Sequence, residues 1–179
     1  MIKLKDLFLD EATRQEIQKN YGGPVSTASN ISVRPTTVDT KRKVIEFICV
    51  DLNGSKRKHI VNVKMGEHSG ISRGKKMSHK DRIILALLEG ELLYRCDCES
   101  YTYGGFGYIS NILNSALPMI DNPKALTTDP QVKNKTHQGL TCKHIRGVAD
   151  KLEDFVEGIA NAFIASTNAK KYGKFRIKK

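Results

Sequence analysis

An α+β fold, one small mixed domain, is predicted from three observations. Two β-branched runs, "KVIEFICVDL" and "KRKHIVNVKM", flank the turn-forming Asn53, Gly54 and Ser55. A further short run, "ELLYRCDC", has the look of a strand and carries two cysteines one residue apart. Apolar residues between Ile145 and Ile164 then recur every three or four positions, the period of one helix face. The expected parts are therefore a β-hairpin, a cysteine-bearing strand and a long C-terminal helix. At 179 residues the chain is long enough for one domain with a buried core and short for two. The expected organisation is an N-terminal helix and extended arm over residues 1–40, the α+β domain over 41–166, and a basic C-terminal tail over 167–179.

Taken in order, Leu4, Leu7, Phe8, Ala12 and Ile17 lie close to one face of a helix over residues 3–19, which the "YGGP" of Tyr21 to Pro24 ends. Val25 to Thr40, rich in Ser, Thr, Asn and Pro and without a clear period, reads as an extended arm or loop. The hairpin covers 42–65, because Asn-Gly supplies the positive φ angles that tight turns need. On its second strand His59, Val61 and Val63 share one face, and Lys58, Ile60, Asn62 and Lys64 share the other. The glycine-rich "GEHSGISRGKK" that follows lacks the GxxxxGKS/T order of a phosphate-binding loop.

Ser78, with Asp81 three residues later, resembles a helix N-cap with an acid in the first turn, and "RIILALLEG" supplies the apolar body and a terminating glycine, so a helix is predicted over 79–89. On the strand after it, Cys96 and Cys98 point to one side because side chains alternate. "SYTYGGFGYISNILNSA" begins aromatic and glycine-rich and ends with helical character. Leu117 to Leu140, with three prolines, is an irregular connection. In the last helix Ile145, Val148, Ala149, Leu152, Phe155, Val156, Ile159, Ala160, Phe163 and Ile164 form a stripe roughly 30 Å long at about 1.5 Å per residue. That stripe is either a core face or a seam for a partner helix.

A formal net charge of +11 favours a polyanionic partner, either nucleic acid or the acidic face of another protein. The cations are clustered: Lys41, Arg42 and Lys43; Lys56, Arg57 and Lys58; Arg73, Lys75 and Lys76; and Lys170, Lys171, Lys174, Arg176, Lys178 and Lys179 near the end. These are the candidate contacts to nucleic acid or another anion, through phosphates in the case of DNA. No run of about 18 apolar residues is present, so no membrane partner is expected. The mixed charges of "MIKLKDLFLDEATRQEI" lack the pattern of a secretory signal, and folding in a reducing cytoplasm is expected.

In that compartment closely spaced Cys and His are more often metal ligands than disulfide partners. Cys96 and Cys98 form one pair, Cys142 and His144 another, with 43 residues between Cys98 and Cys142. Together they make a Cys3His set, the donors of a closed, tetrahedral, structural Zn2+ site. One Zn2+ would pin the strand to the start of the last helix and close the long loop between them. Arg95 and Lys143 stand beside the thiolates in sequence and can offset their charge. His137 is the best substitute ligand. His59, His68 and His79 have no comparable partners in sequence and are read as strand, loop and helix-start residues. Cys49, alone in "VIEFICV", is read as a small buried hydrophobe.

The order Cys-x-Cys then Cys-x-His resembles the SWIM zinc finger through Cys96, Cys98, Cys142 and His144, and that resemblance implies binding to DNA or protein. Over residues 90–155 the sequence also resembles small proteins of tailed bacteriophages. Its matching residues are Cys96, Cys98, Tyr101, Tyr103, Phe106, Tyr108, Asn122, Pro123, Gly139, Cys142, Lys143 and His144. The second resemblance implies a virion component made in the host cytoplasm, with other virion proteins and further copies of itself as partners. No catalytic residues are expected. Catalytic zinc keeps an open position, and the H-x-E and P-C-x-x-C motifs of zinc deaminases are missing. Cys142 as nucleophile with His144 as base is the enzymatic alternative.

Overall fold

The computed structural model describes residues 30–53, 56–66, 77–130, 141–168 and 174–176. Five antiparallel strands, β1 (Ile31–Asp39), β2 (Val44–Asp51), β3 (Lys58–Met65), β4 (Leu92–Cys96) and β5 (Lys174–Arg176), form one sheet in the order β4-β3-β2-β1-β5. The helices are α1 (His79–Glu89), α2 (Glu99–Thr102), α3 (Phe106–Ile112), α4 (Lys124–Thr127), α5 (Lys143–Lys151) and α6 (Val156–Asn168). The α+β class and the hairpin are as the sequence predicts. The N-terminal helix over 3–19 and its "YGGP" stop, the hairpin tip at Gly54 and Ser55, and the glycine-rich segment 67–76 lie outside the described residues.

Strand alternation sorts the sheet into two faces. Ile31, Val33 and Val38 of β1, Ile45, Phe47 and Cys49 of β2, Val61, Val63 and Met65 of β3, and Leu92, Tyr94 and Cys96 of β4 are all buried. The helix α5 packs across β1 to β4, while α6 packs on β1 and α1. Gly147 permits the close approach of α5, since a Cβ there would lie 3.1 Å from both Cβ and Cγ2 of Ile31. The ion pair Lys143–Asp51 and the bond from Lys151 Nζ to the Ile31 carbonyl, 3.1 Å, fasten the same helix at both ends.

The predicted start of α1 is realised: Ser78 Oγ accepts from the Asp81 amide at 3.1 Å and donates to the Asp81 carboxylate at 2.7 Å. Three expectations need correction. The arm predicted over Val25 to Thr40 is a strand from Ile31 to Asp39, because Ile31, Val33 and Val38 supply buried positions that its polar composition obscures. Pro35, which has no N–H for a ladder, falls where the β1–β2 register shifts between Pro35 and Thr37. The expected basic tail contributes β5, paired with Thr37 to Asp39.

The single long C-terminal helix is broken: α5 ends at Lys151, a 3-10 turn covers Glu153–Phe155, and α6 begins at Val156. A 3-10 turn keeps residues three apart on one side, so an apolar spacing of three and four does not reveal the change. Ile145, Val148, Ala149, Leu152, Val156, Ile159, Ala160 and Phe163 are buried within the chain, so the stripe is core. The irregular connection after Leu117 contains α4, and its residues 131–140 lie outside the described ones.

Candidate metal centre

Four side chains from two distant stretches converge at one end of the sheet. Cys96 is the last residue of β4, Cys98 is the N-cap of α2, Cys142 is the N-cap of α5, and His144 sits in the first turn of α5. Their ligand atoms all lie within 4.8 Å of one another, and His144 Nδ1 is 3.8 Å from Cys96 Sγ. A tetrahedron with metal–sulfur arms of about 2.3 Å has edges of about 3.8 Å. The spacing therefore fits one metal ion at the centre. All four residues are buried, none more than 3% exposed, so the cluster is closed to water.

Local backbone geometry explains how the sulfurs meet. The sequence predicts Cys96 and Cys98 on one side of a continuous strand, but β4 stops at Cys96 and the chain turns into α2. The Cys98 amide donates to Cys96 Sγ, and the Tyr101 amide donates to Cys98 Sγ, each at 3.4 Å. Such N–H donors suit thiolates, which accept but cannot donate. Asp97, between the two cysteines, exchanges bonds with β3: its amide donates to the Ile60 carbonyl at 3.2 Å, and its carboxylate accepts from the Ile60 amide at 2.9 Å. The second pair rides on α5, whose N-terminus directs its partial positive charge at the sulfurs.

With no cation among them, three sulfurs this close cannot all ionise. Hydrogen bonds from the Cys142 and Cys96 thiols hold Cys98 well below the ordinary thiol range. The thiol of Cys96 is pushed up by its hydrogen bonds to Cys142 and Cys98, and that of Cys142 by burial. The trio thus shares about one negative charge until a cation neutralises more. Cys49 is separate: its thiol is raised to about 12 by burial, and its Sγ contacts the His144 carbonyl at 3.8 Å. The expected role of Cys49 as a buried hydrophobe holds, and it also buttresses the ligand-bearing turn.

No protein-family model, curated protein or solved structure matches this chain. The centre rests on its own geometry: a Cys3His cluster compatible with a zinc finger, able to hold one metal ion.

The surroundings of the cluster differ from several expectations. Arg95 does not neutralise the thiolates, because its Nη1 donates to the Pro118 carbonyl at 3.0 Å. Lys143 is turned to Asp51, whose carboxyl it holds below the usual range. His59 has partners after all: its ring stacks on His144 with centroids 4.3 Å apart, and its Nδ1 lies 3.2 Å from Asp97 Oδ1. With Nδ1 facing the sulfurs, His144 Nε2 is buried without a partner among the described residues. The pairing of Cys49 with His59 and of Val61 with Cys96 brings this histidine to the centre. His137 and His68 lie outside the described residues, and His79 opens α1 as predicted.

A residue that packs on one ligand and contacts the residue between two others orients the set. Replacing His59 with Ala is expected to weaken metal binding by about 10- to 100-fold, read by competition with a chromophoric chelator. An unchanged affinity would show that the stack and the Asp97 contact orient nothing.

The candidate anion-contact residues that the structure describes do not form one patch. Lys41, Arg42 and Lys43 are exposed on the β1–β2 turn, and Lys56, Arg57 and Lys58 are exposed before and at the start of β3. The eight-residue β2 separates the two groups by about 25 Å. Lys174 and Arg176 are on β5, beside the first group's end of the sheet, while Arg73, Lys75, Lys76, Lys170, Lys171, Lys178 and Lys179 lie outside the described residues.

Proposed function

We propose that this chain is a zinc-stabilised structural or assembly protein rather than an enzyme. The observation that carries the reading is the closure of the Cys3His cluster, with every ligand buried. A catalytic metal needs a position for substrate or water, whereas a structural one uses all its positions on protein. Three thiolates and one imidazole suit Zn2+, which has no redox chemistry of its own and accepts a tetrahedron without penalty. The same closure counts against Cys142 as a nucleophile, since substrate would have to displace its neighbours.

The likeness of residues 90–155 to small tailed-bacteriophage proteins supports placement in a virion, with other virion proteins and copies of itself as partners. The exposed cations at both ends of β2 suit packaged DNA or acidic neighbouring subunits. Among the described residues no helix is long and apolar enough to cross a membrane. A second reading, a SWIM-type nucleic-acid-binding protein, is favoured by Lys56, Arg57 and Lys58, which lie at the metal end of the sheet next to His59.

Native mass spectrometry of the purified chain separates the two readings. One zinc per chain in a defined multimer is expected for the assembly protein. One zinc on a monomer that binds duplex DNA, with affinity falling steeply as salt rises, would transfer the case to the second reading. A chain that never retains zinc would overturn both.

A further inference from the structure

We propose that the cavity at the end of the sheet opposite the cysteines binds a small organic anion with an apolar body, in the class of medium-chain carboxylates and alkyl phosphates. The cavity holds about 360 Å3, within the usual range of about 300–1,000 Å3 for small-molecule sites. Among the described residues its walls come from four places in the fold: the β1–β2 turn, the end of β3, α1 and α6. Ser166 Oγ donates to Thr40 Oγ1 at 2.8 Å, which ties α6 to the turn and holds two walls at a set spacing.

The lining separates into two kinds of surface. Met65, Ile83 and Phe163 offer apolar surface for a hydrocarbon or aromatic body. Lys43, His79 and Arg82 supply donors, and none of the described lining residues is acidic. Arg82 is held in place by bonds from Nε and Nη2 to the Met77 carbonyl, at 3.3 and 3.2 Å, so its charge is positioned before any ligand arrives. Among the described residues neither Lys43 nor His79 has an acidic partner. An anion entering this cavity therefore meets the Lys43 ammonium, which no carboxylate among the described residues satisfies, and its apolar portion leaves water. Burial supplies attraction, and the sign of the lining charge supplies selectivity.

The test is calorimetric titration of the full chain with octanoate, octyl phosphate, 1-octanol and octylammonium. One octanoate or octyl phosphate is expected to bind per chain at least ten-fold more tightly than octanol, with no binding of octylammonium. Lys43 has a left-handed backbone, φ 55°, and Asn tolerates that conformation, so Lys43→Asn removes the charge with little strain. This variant is expected to lose at least five-fold in anion affinity and none in octanol affinity. Ala86→Leu, filling the cavity from α1, is expected to abolish binding of all probes while the thermal transition persists. Anions that bind no better than octanol, undiminished anion binding by Lys43→Asn, or absence of any binding to the wild-type chain would each overturn the proposal. None of these outcomes bears on the metal centre, which lies at the other end of β2 and β3.

Discussion

Stripping the metal is expected to lower the thermal transition temperature of this protein sharply. Domains of this size are stable by about 5–15 kcal/mol, while structural zinc contributes an apparent 10–16 kcal/mol or so in small zinc modules. Here the ion would join the end of β4 to the start of α5, and α5 carries Ile145, Val148 and Ala149 into the core. Without it, three buried thiols and a buried imidazole remain beside one another with their charge uncompensated. Cys142→Ser should act like chelation, because a hydroxyl is a poor replacement for a buried thiolate ligand and the other three donors no longer close the tetrahedron. Circular dichroism melts with and without a strong chelator, and on Cys142→Ser, measure the effect. Equal transition temperatures in all three samples would remove the metal from any account of the fold.

The affinity for metal is expected to climb steeply with pH, by about 100-fold per unit between about pH 7 and 9. The sign follows from the protons displaced. In the metal-free fold Cys96 and Cys142 are raised above the ordinary thiol value of 9.0, so both carry protons throughout that range. Cys98 is lowered and already ionised. Loading the site releases two protons, one from each raised thiol, and the apparent association constant therefore varies with the inverse square of proton concentration. Acidification favours release and alkalinity favours retention. Zinc titrations monitored by competition at several pH values supply the slope. A slope near zero would mean that the thiols were already deprotonated, and a slope near one would mean that the three sulfurs share their protons differently.

Both expectations rest on residues that the sequence makes visible. Two cysteines separated by one residue, then a cysteine and a histidine with the same gap, are a local pattern, and a local pattern survives without knowledge of the fold. The hairpin was legible for the same reason: Asn-Gly between β-branched runs specifies a turn within a few residues. So was α1, whose cap and acid lie three residues apart.

Other parts were hidden because their cause is distant in sequence. Nothing near Ile31 announces a strand, since its partner β2 and the packing of α5 are what make Ile31 and Val33 interior residues. The break between α5 and α6 was masked by a periodicity that α and 3-10 turns share. His59 looked unpartnered because its neighbours, Asp97 and His144, come from chain segments 38 and 85 positions further on. The grouping of Arg95 and Lys143 with the thiolates failed in the opposite way, adjacency in sequence giving no contact when the side chains turn to Pro118 and Asp51. The donor residues and their number can be read from the sequence alone, because ligand chemistry is a property of short stretches. Tertiary structure was needed to bring the donors into a closed space, to set residues behind them, and to divide the described cations between two ends of the sheet. Those outcomes depend on strand order, register and helix packing, which bring together groups that no local rule connects.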